Sequence, residues 1–415
     1  MVKKQQCIWQ PFTQMKEWEN DDHLTIERGQ GSYLIDTIGN KYLDGVSSLW
    51  VNVHGHNHPT LNRAIKKQLD KIAHSTLLGL ANKPAVELAK QLVKIAPNGL
   101  TKVFYSDNGS TAVEIALKIA FQYQQLIGKT KRTKFITIKN AYHGDTIGAV
   151  SVGGIDVFHE RFGPLLFKAI QVKTDLKEVE KAMKKHHQEV AAMIIEPMIQ
   201  GAAGMLLQPK GFVNGIRELC TKYNILMIVD EVATGFGRTG RMFACEHDKV
   251  TPDIMCIAKG ITGGYLPLAA TLTTDKLYKA FLGEGNAFLH GHTYTGNPVG
   301  CAAALANLEI FKQEKTLINL QPKIKLLAKL LERFYSFRVV HDIRQLGFMV
   351  GIELKGTGYG DQIGHQVIME ARKRGAILRP LGNVIVLMPP LSISQQELKR
   401  LVKITYESIK TNQHS

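Results

Sequence analysis

The sequence predicts an α/β fold in which a large domain is built on a mainly parallel sheet and a smaller α+β domain is assembled from both chain ends. Three observations carry this expectation. In the middle of the chain, short apolar runs alternate with helical patterns, the order expected of a parallel sheet with crossover helices. Two of those runs, Ile225–Val229 and Ile254–Ala258, are unbroken, as in strands covered on both faces. Both ends mix strand and helix patterns, and 415 residues are long for one core. We therefore expect residues 1–59 and 313–415 to share the small domain and residues 60–312 to form the large one.

Taken in order, an irregular arm is followed by GSYLIDTIGNKYLDG, whose apolar positions alternate about Gly39-Asn40, a hairpin turn. His54, His56 and His58 come next. Gly55 and Asn57 separate them, and no nearby carboxylate or Cys completes a ligand set, so a polar loop and no metal site is expected. Leu61, Ala64, Ile65 and Leu69 mark a helix running to about Ala73, and Pro84 opens another that ends near Ile95. A strand read as buried, Lys102–Ser106, passes through Asp107-Asn108-Gly109-Ser110 into a helix with Val113, Ala116, Leu117, Ala120 and Phe121 on its inner face. Further strands are expected at Lys134–Lys139, Ala191–Pro197 and Pro267–Thr274, and helices at Lys173–His187, Gly211–Tyr223 and Ala302–Phe311. Lys312–Pro322 reads as a polar connection before a helix over Ile324–Phe334. Strand patterns then flank a helix at Gln366–Arg374, and a capping box from Ser394 to Glu397 opens the last helix.

Composition is that of an ordinary globular protein, 44% apolar and 21% charged. The net charge of +16 raises nucleic acid as a partner, but the lysines are dispersed, apart from modest clusters at Lys129–Lys134 and Lys181–Lys185. No nucleic-acid-binding signature accompanies them, so no such partner is expected. Five cysteines without a CxxC pair favour a reducing compartment. Without a signal-peptide pattern or an apolar stretch of spanning length, a cytoplasmic protein with no membrane partner is expected.

The candidate chemistry lies where the two unbroken runs end, on Asp230 and on Lys259. Ligands bind beyond the carboxyl ends of parallel strands, so both groups are expected in one site. Desolvation strips charge from a lysine and makes its amine a nucleophile, while a nearby aspartate can hold a pyridinium nitrogen protonated. The pair alone fits a buried ion pair or two solvated strand ends better than it fits a catalytic site. Strand, Asp-Asn-Gly-Ser and helix start form a phosphate-binding arrangement, although Asn108 and Ser110 also suit simple capping. Tyr142-His143, read as exposed in a Gly-containing loop, suits an aromatic platform over a flat ring or a loop aromatic packed on the core. Gly235-Phe-Gly237-Arg-Thr-Gly240 spells GxGxxG, but the acidic pair precedes it and no strong helix follows, so it is set aside as a dinucleotide fingerprint.

Together, DEVATGFGRTG from Asp230, AKGITGGYLP around Lys259 and GHTYTGNP from Gly291 resemble the class III aminotransferases of PLP fold type I. Within that class WQPFTQM, SSLWVNVHGHNHP, YHGDTIGAVSV, EHDKVTPDIM and ILRPLGNVIVLMPP resemble the branch that makes 7,8-diaminononanoate from 8-amino-7-oxononanoate in biotin synthesis. The resemblance implies a seven-stranded sheet, pyridoxal 5′-phosphate (PLP) as cofactor and a homodimer with shared active sites. It implies that Lys259 carries PLP, Asp230 meets the pyridine nitrogen and Tyr142 covers the ring. Gly109 and Ser110 would hold the phosphate, with His292 and Thr293 contributed across the dimer. Arg379 would bind the substrate carboxylate, and Phe12, Leu49, Trp50, Asp145, Arg238 and Gly291 would line the substrate pocket.

Members that take the amino group from S-adenosylmethionine usually read W-H-P-Y, S-S-W-W and H-G-P-T-F-M. Here Phe12, Leu49 and His292 stand in the corresponding stretches, which removes a hydroxyl and an indole from the donor pocket. The pattern is more similar to members that use L-lysine. The rival within the class is an ω-aminotransferase acting on ornithine, 4-aminobutyrate or β-alanine.

Overall fold

Seven strands form the central sheet: β1 (Leu100–Ser106), β2 (Lys134–Ile138), β3 (Ile170–Val172), β4 (Val190–Ile195), β5 (Leu226–Asp230), β6 (Ile254–Ile257) and β7 (Ala269–Thr274). The computed structural model describes residues 7–19, 23–356 and 358–412, so the basic first residues lie outside the described residues. In space the strands run β1-β7-β6-β5-β4-β2-β3. Neighbours from β6 to β3 are parallel, whereas β7 is antiparallel to both β6 and β1. Every residue of β4, β5 and β6 is buried, as unbroken Val, Ile, Leu and Met runs require when helices cover both faces. The strand ending at Ser106 differs from expectation: β1 is an edge strand, half-exposed along its middle.

The chain ends meet in two smaller sheets. Ile26–Gln30, Tyr33–Asp36 and Lys41–Asp44 form a meander, and Ala376–Ile377 adds to it in parallel, Ala376 opposite Leu43. Val340–Leu346, Met349–Leu354, Val384–Leu387 and Arg379–Leu381 form an antiparallel sheet beside it. One apolar cluster, including Val229, Phe236, Leu378 and Ile385, joins these segments to the large sheet. The division at residues 59 and 312 is retained as a proposal about folding units.

Two helices bear on the site. The first, α1 (Gly109–Leu126), starts at an Asn108 cap whose Oδ1 accepts from the Thr111 amide at 3.0 Å. It is buried at Ala112, Val113, Ile115, Ala116, Ile119 and Ala120, so both flanks are covered, while Phe121 faces out at 41% exposure rather than joining the inner face. The second, α2 (Pro298–Gln313), is likewise buried on most sides. The polar connection expected up to Pro322 is instead helix: Thr316–Leu331 is continuous, because Leu320 and Leu327 both bury fully in the core and outweigh the lost proline N–H bond. The Ser394–Glu397 capping box closes as expected, with both reciprocal bonds present. Ser394→Ala is expected to lower stability by about 1 kcal/mol, read as a shifted denaturation midpoint without a change in slope.

Candidate active site

Four parallel strands deliver chemistry at their carboxyl ends. Asp230 closes β5 opposite Cys256, and Lys259 comes two residues after β6. Glu196 follows β4, and the loop after β2 carries Tyr142 and His143. From the β1 side, Asp107, Asn108, Gly109 and Ser110 complete the wall. All these groups line one cavity of about 590 Å³, together with Phe12, Leu49, Trp50 and Arg379.

The Lys259 amine is buried, and that burial lowers its pKa; Asp230 and Glu196 oppose the shift, and Arg238 and Arg379 reinforce it. Its Nζ lies 4.9 Å from the centroid of the Trp50 ring. Lys259 has φ +46°, and Trp50 and Phe12 also sit in the left-handed region at +65° and +52°. Such conformations cost non-glycine residues about 1–2 kcal/mol each, strain of the kind that concentrates at functional sites. Asp230 Oδ1 accepts the Val232 amide at 3.0 Å, and its Oδ2 lies 2.7 Å from His143 Nδ1. His143 is buried, not exposed as the sequence suggested, because this contact draws the ring under the site.

The first-turn amides of Gly109 and Ser110 have no partner within the helix, which makes the start of α1 an anion site. Ser110 Oγ accepts the Asp145 amide at 3.0 Å, which leaves its proton to donate to a ligand. Gly144 has to be glycine, since a Cβ there would lie 1.9 Å from Ser110 Oγ. Tyr142 donates its hydroxyl to Asp145 Oδ2 at 2.6 Å, and burial first, then that carboxylate, drives the phenol pKa upward. Asp145 itself is not part of the cavity wall and acts on it only through Tyr142. A buried amine, a carboxylate backed by a histidine, an aromatic face and a free helix start around one cavity fit a flat, phosphate-bearing aldehyde such as PLP.

Two residues share the site in roles that the sequence did not assign to them. His143 orients Asp230. Glu196 accepts amides from Tyr142 and Gly201, each at 3.0 Å, and burial raises its pKa to about 7. Its signal was present in AAMIIEP, a third apolar run ending on a charge. Arg379 is half-buried in the cavity wall, paired through its backbone with Val386, and its guanidinium forms no ion pair or hydrogen bond among the described residues. Trp50 Nε1 is buried without a partner.

Other expected members lie elsewhere. Arg238 is 1% exposed and outside the cavity wall, because its guanidinium donates to Ser47 Oγ, Pro389 O and Asn52 O at 3.2, 2.9 and 2.8 Å. It braces two loops around the site instead of meeting a substrate. Arg238→Met is expected to destabilise the protein by about 3 kcal/mol, since two buried carbonyls lose their donors; a denaturation midpoint equal to wild type would refute the brace. Gly291, His292 and Thr293 lie in a partly exposed loop that does not reach this chain's own cavity. The three loop histidines take separate partners: His54 packs edge-on against Phe311, His56 meets Asp44 at 2.8 Å and His58 meets Glu314 at 3.1 Å. No group of three potential metal ligands occurs among the described residues.

The family model for class III aminotransferases matches residues 14–409. The adenosylmethionine-8-amino-7-oxononanoate aminotransferase of Aquifex aeolicus is 53% identical, over 97% of this chain and 95% of its own length. That of Geobacter sulfurreducens is 51% identical over 97% and 96%. The crystal structure of the Methanocaldococcus jannaschii protein of the same name superimposes with a TM-score of 0.96 at 51% identity, covering 98% of this chain and 97% of that one. An amine transaminase from an uncultivated Pseudomonas species, solved with PLP bound, gives 0.92 at 35% identity, over 98% of both chains. A match that runs over nearly the whole chain places this protein in the class III aminotransferase family, and so among the PLP-dependent transferases of fold type I.

Proposed function

We propose that the protein transfers an amino group to 8-amino-7-oxononanoate, forming 7,8-diaminononanoate. The observation that carries this reading is Arg379, a guanidinium without an ion pair among the described residues, in a cavity whose lining also includes the apolar side chains of Phe12, Leu49, Trp50, Leu266 and Leu381. An aliphatic chain ending in a carboxylate matches that wall: the apolar side chains cover the chain and the fork of the guanidinium takes the carboxylate. The names of the relatives above point to the same acceptor.

When bound, PLP supplies the electron sink for the carbon next to the amino group and stores that group between the two half-reactions. Asp230 would face its ring nitrogen, the amides of Gly109 and Ser110 with the Ser110 hydroxyl its phosphate, and Tyr142 one face of the ring. Burial keeps the Lys259 amine available as a base, so its Nζ takes the proton from the substrate carbon and returns it on the other side of the reaction. Asp145 holds the Tyr142 hydroxyl, and so the ring, in place. Leu266 and Leu381 exclude water from the carbon that reacts.

Two further elements belong to this reading. Gly291, His292 and Thr293 serve the cavity of a second copy, in a homodimer whose mass in solution is twice that of the chain. The donor is L-lysine, favoured by Phe12 and Leu49 in the cavity wall, which offer neither a hydroxyl nor an indole for an adenine. A competition between L-lysine and S-adenosylmethionine decides this: product formed preferentially from S-adenosylmethionine removes the lysine reading and leaves the acceptor intact. Arg379→Ala is expected to raise the KM for the oxo acid about 10–100-fold while PLP affinity changes little. An unchanged KM, with brisk turnover of 4-aminobutyrate instead, would move the assignment to another ω-aminotransferase.

A further inference from the structure

One side-chain amide ties the turn that carries Lys259 to α2. Asn307, fully buried in α2, donates from Nδ2 to the carbonyls of Gly260 and Ile261, both at 3.0 Å. Its Oδ1 is buried, and the same amide also acts on the His54 ring. The turn has no slack on either side. A Cβ at Gly260 would lie 2.8 Å from the Phe236 side chain, and one at Gly263 would lie 3.0 Å from Asn307 Oδ1. At Gly264, φ +87°, a Cβ would meet the backbone of Val51 and Asn52 at 2.8 Å.

We propose that Asn307 is a positioning residue for Lys259: its two hydrogen bonds pin the peptides after Lys259, and so keep that residue at φ +46° with its amine in the cavity. The physical reason lies in the backbone. A lysine relaxes toward negative φ unless its neighbours are fixed, and a relaxed turn swings the side chain away from the reacting carbon. The turn closes on its own backbone, Ile261 N–H to Ala258 O at 3.1 Å and Gly263 N–H to Gly260 O at 3.0 Å, and the buried Asn307 amide ties two of its carbonyls to α2. The proposal rests on Lys259 as the base of the reaction, and the experiment below separates the two ideas.

Asn307→Leu removes both donors at similar volume, and Asn307→Asp keeps the shape but sets a carboxylate against two carbonyls. Both are compared with wild type and Lys259→Ala. Asn307→Leu leaves unchanged the charges facing Lys259, namely Asp230, Glu196, Arg238 and Arg379, whereas Asn307→Asp adds a carboxylate behind the turn, so the pH and acetylation readouts are taken on Asn307→Leu. The expected result is a fall in kcat of about 10–100-fold with KM within about twofold, the scale that a misplacement of about 1 Å produces. The pH midpoint of the bound cofactor's visible absorbance is expected to move, and so is the rate of Lys259 acetylation in cofactor-free protein, read by peptide mass spectrometry. A lower thermal midpoint with unchanged kcat, absorbance titration and acetylation rate overturns the proposal and leaves Asn307 as scaffold. An active Lys259→Ala would instead overturn the assignment of the base.

Discussion

Lys259→Ala is expected to abolish transamination, with kcat reduced at least about 10⁴-fold, because it removes both the covalent anchor of the cofactor and the base that moves the proton. Glu196, Tyr142 and Arg379 cannot replace it. Glu196 is spent on two backbone amides, Tyr142 is held by Asp145 with its phenol pKa driven upward, and Arg379 cannot give up a proton. Stopped-flow absorbance checks the expectation directly: the band of the lysine-linked cofactor disappears, and added donor does not convert the cofactor from its aldehyde to its amine form. Turnover at the wild-type rate would remove Lys259 from the chemistry and with it the reading of the site.

Asp230→Asn is expected to lower kcat by about 10²–10³-fold with little loss of folded protein. The amide keeps the size of the carboxylate and can still accept the Val232 N–H, so the end of β5 remains closed. The negative charge is lost, and with it the support for a protonated ring nitrogen and the carboxylate that His143 Nδ1 meets at 2.7 Å. Single-turnover kinetics in each direction would show both half-reactions slowed. An effect confined to one of them would mean that Asp230 acts on a substrate and not on the cofactor.

The sheet could be read in the sequence because burial on both faces leaves a strong trace: runs such as Met227, Ile228 and Val229 admit no polar residue. The Ser394 cap was readable for a similar reason, since its partner Glu397 is only three residues away. Elements that depend on distant packing were harder to read. Pro322 suggests a break, yet Leu320 and Leu327 fill the core and carry the helix through it. Phe121 has the right spacing for the core but points to solvent at 41% exposure.

For the site, the residues that end strands were visible, and the structure gathers Asp230, Lys259, Gly109, Ser110, Tyr142, Phe12, Leu49, Trp50 and Arg379 around one cavity. The positions of His143 and Arg238 were not visible, because each is set by a partner far away in the chain: Asp230 for the first, the carbonyls of Asn52 and Pro389 for the second. Asn307 left no trace at all. An asparagine in an apolar helix carries no pattern until the carbonyls it serves have been folded against it.

The pairing of Ala376 with Leu43 sets an order of events during synthesis. On the ribosome, the strands that present Asp230 and Lys259 emerge long before Arg379, and the early hairpin waits without its fourth strand until residue 376 has left the exit tunnel. A contact across such a separation closes late, since the intervening loop must first be brought together. The nascent protein therefore carries its reactive lysine without the Arg379 wall during the later part of translation, and the last stretch of chain completes the cavity. Chains stalled or cut short of residue 376 are expected to retain the lysine end of the site and to lack discrimination among carbonyl acids.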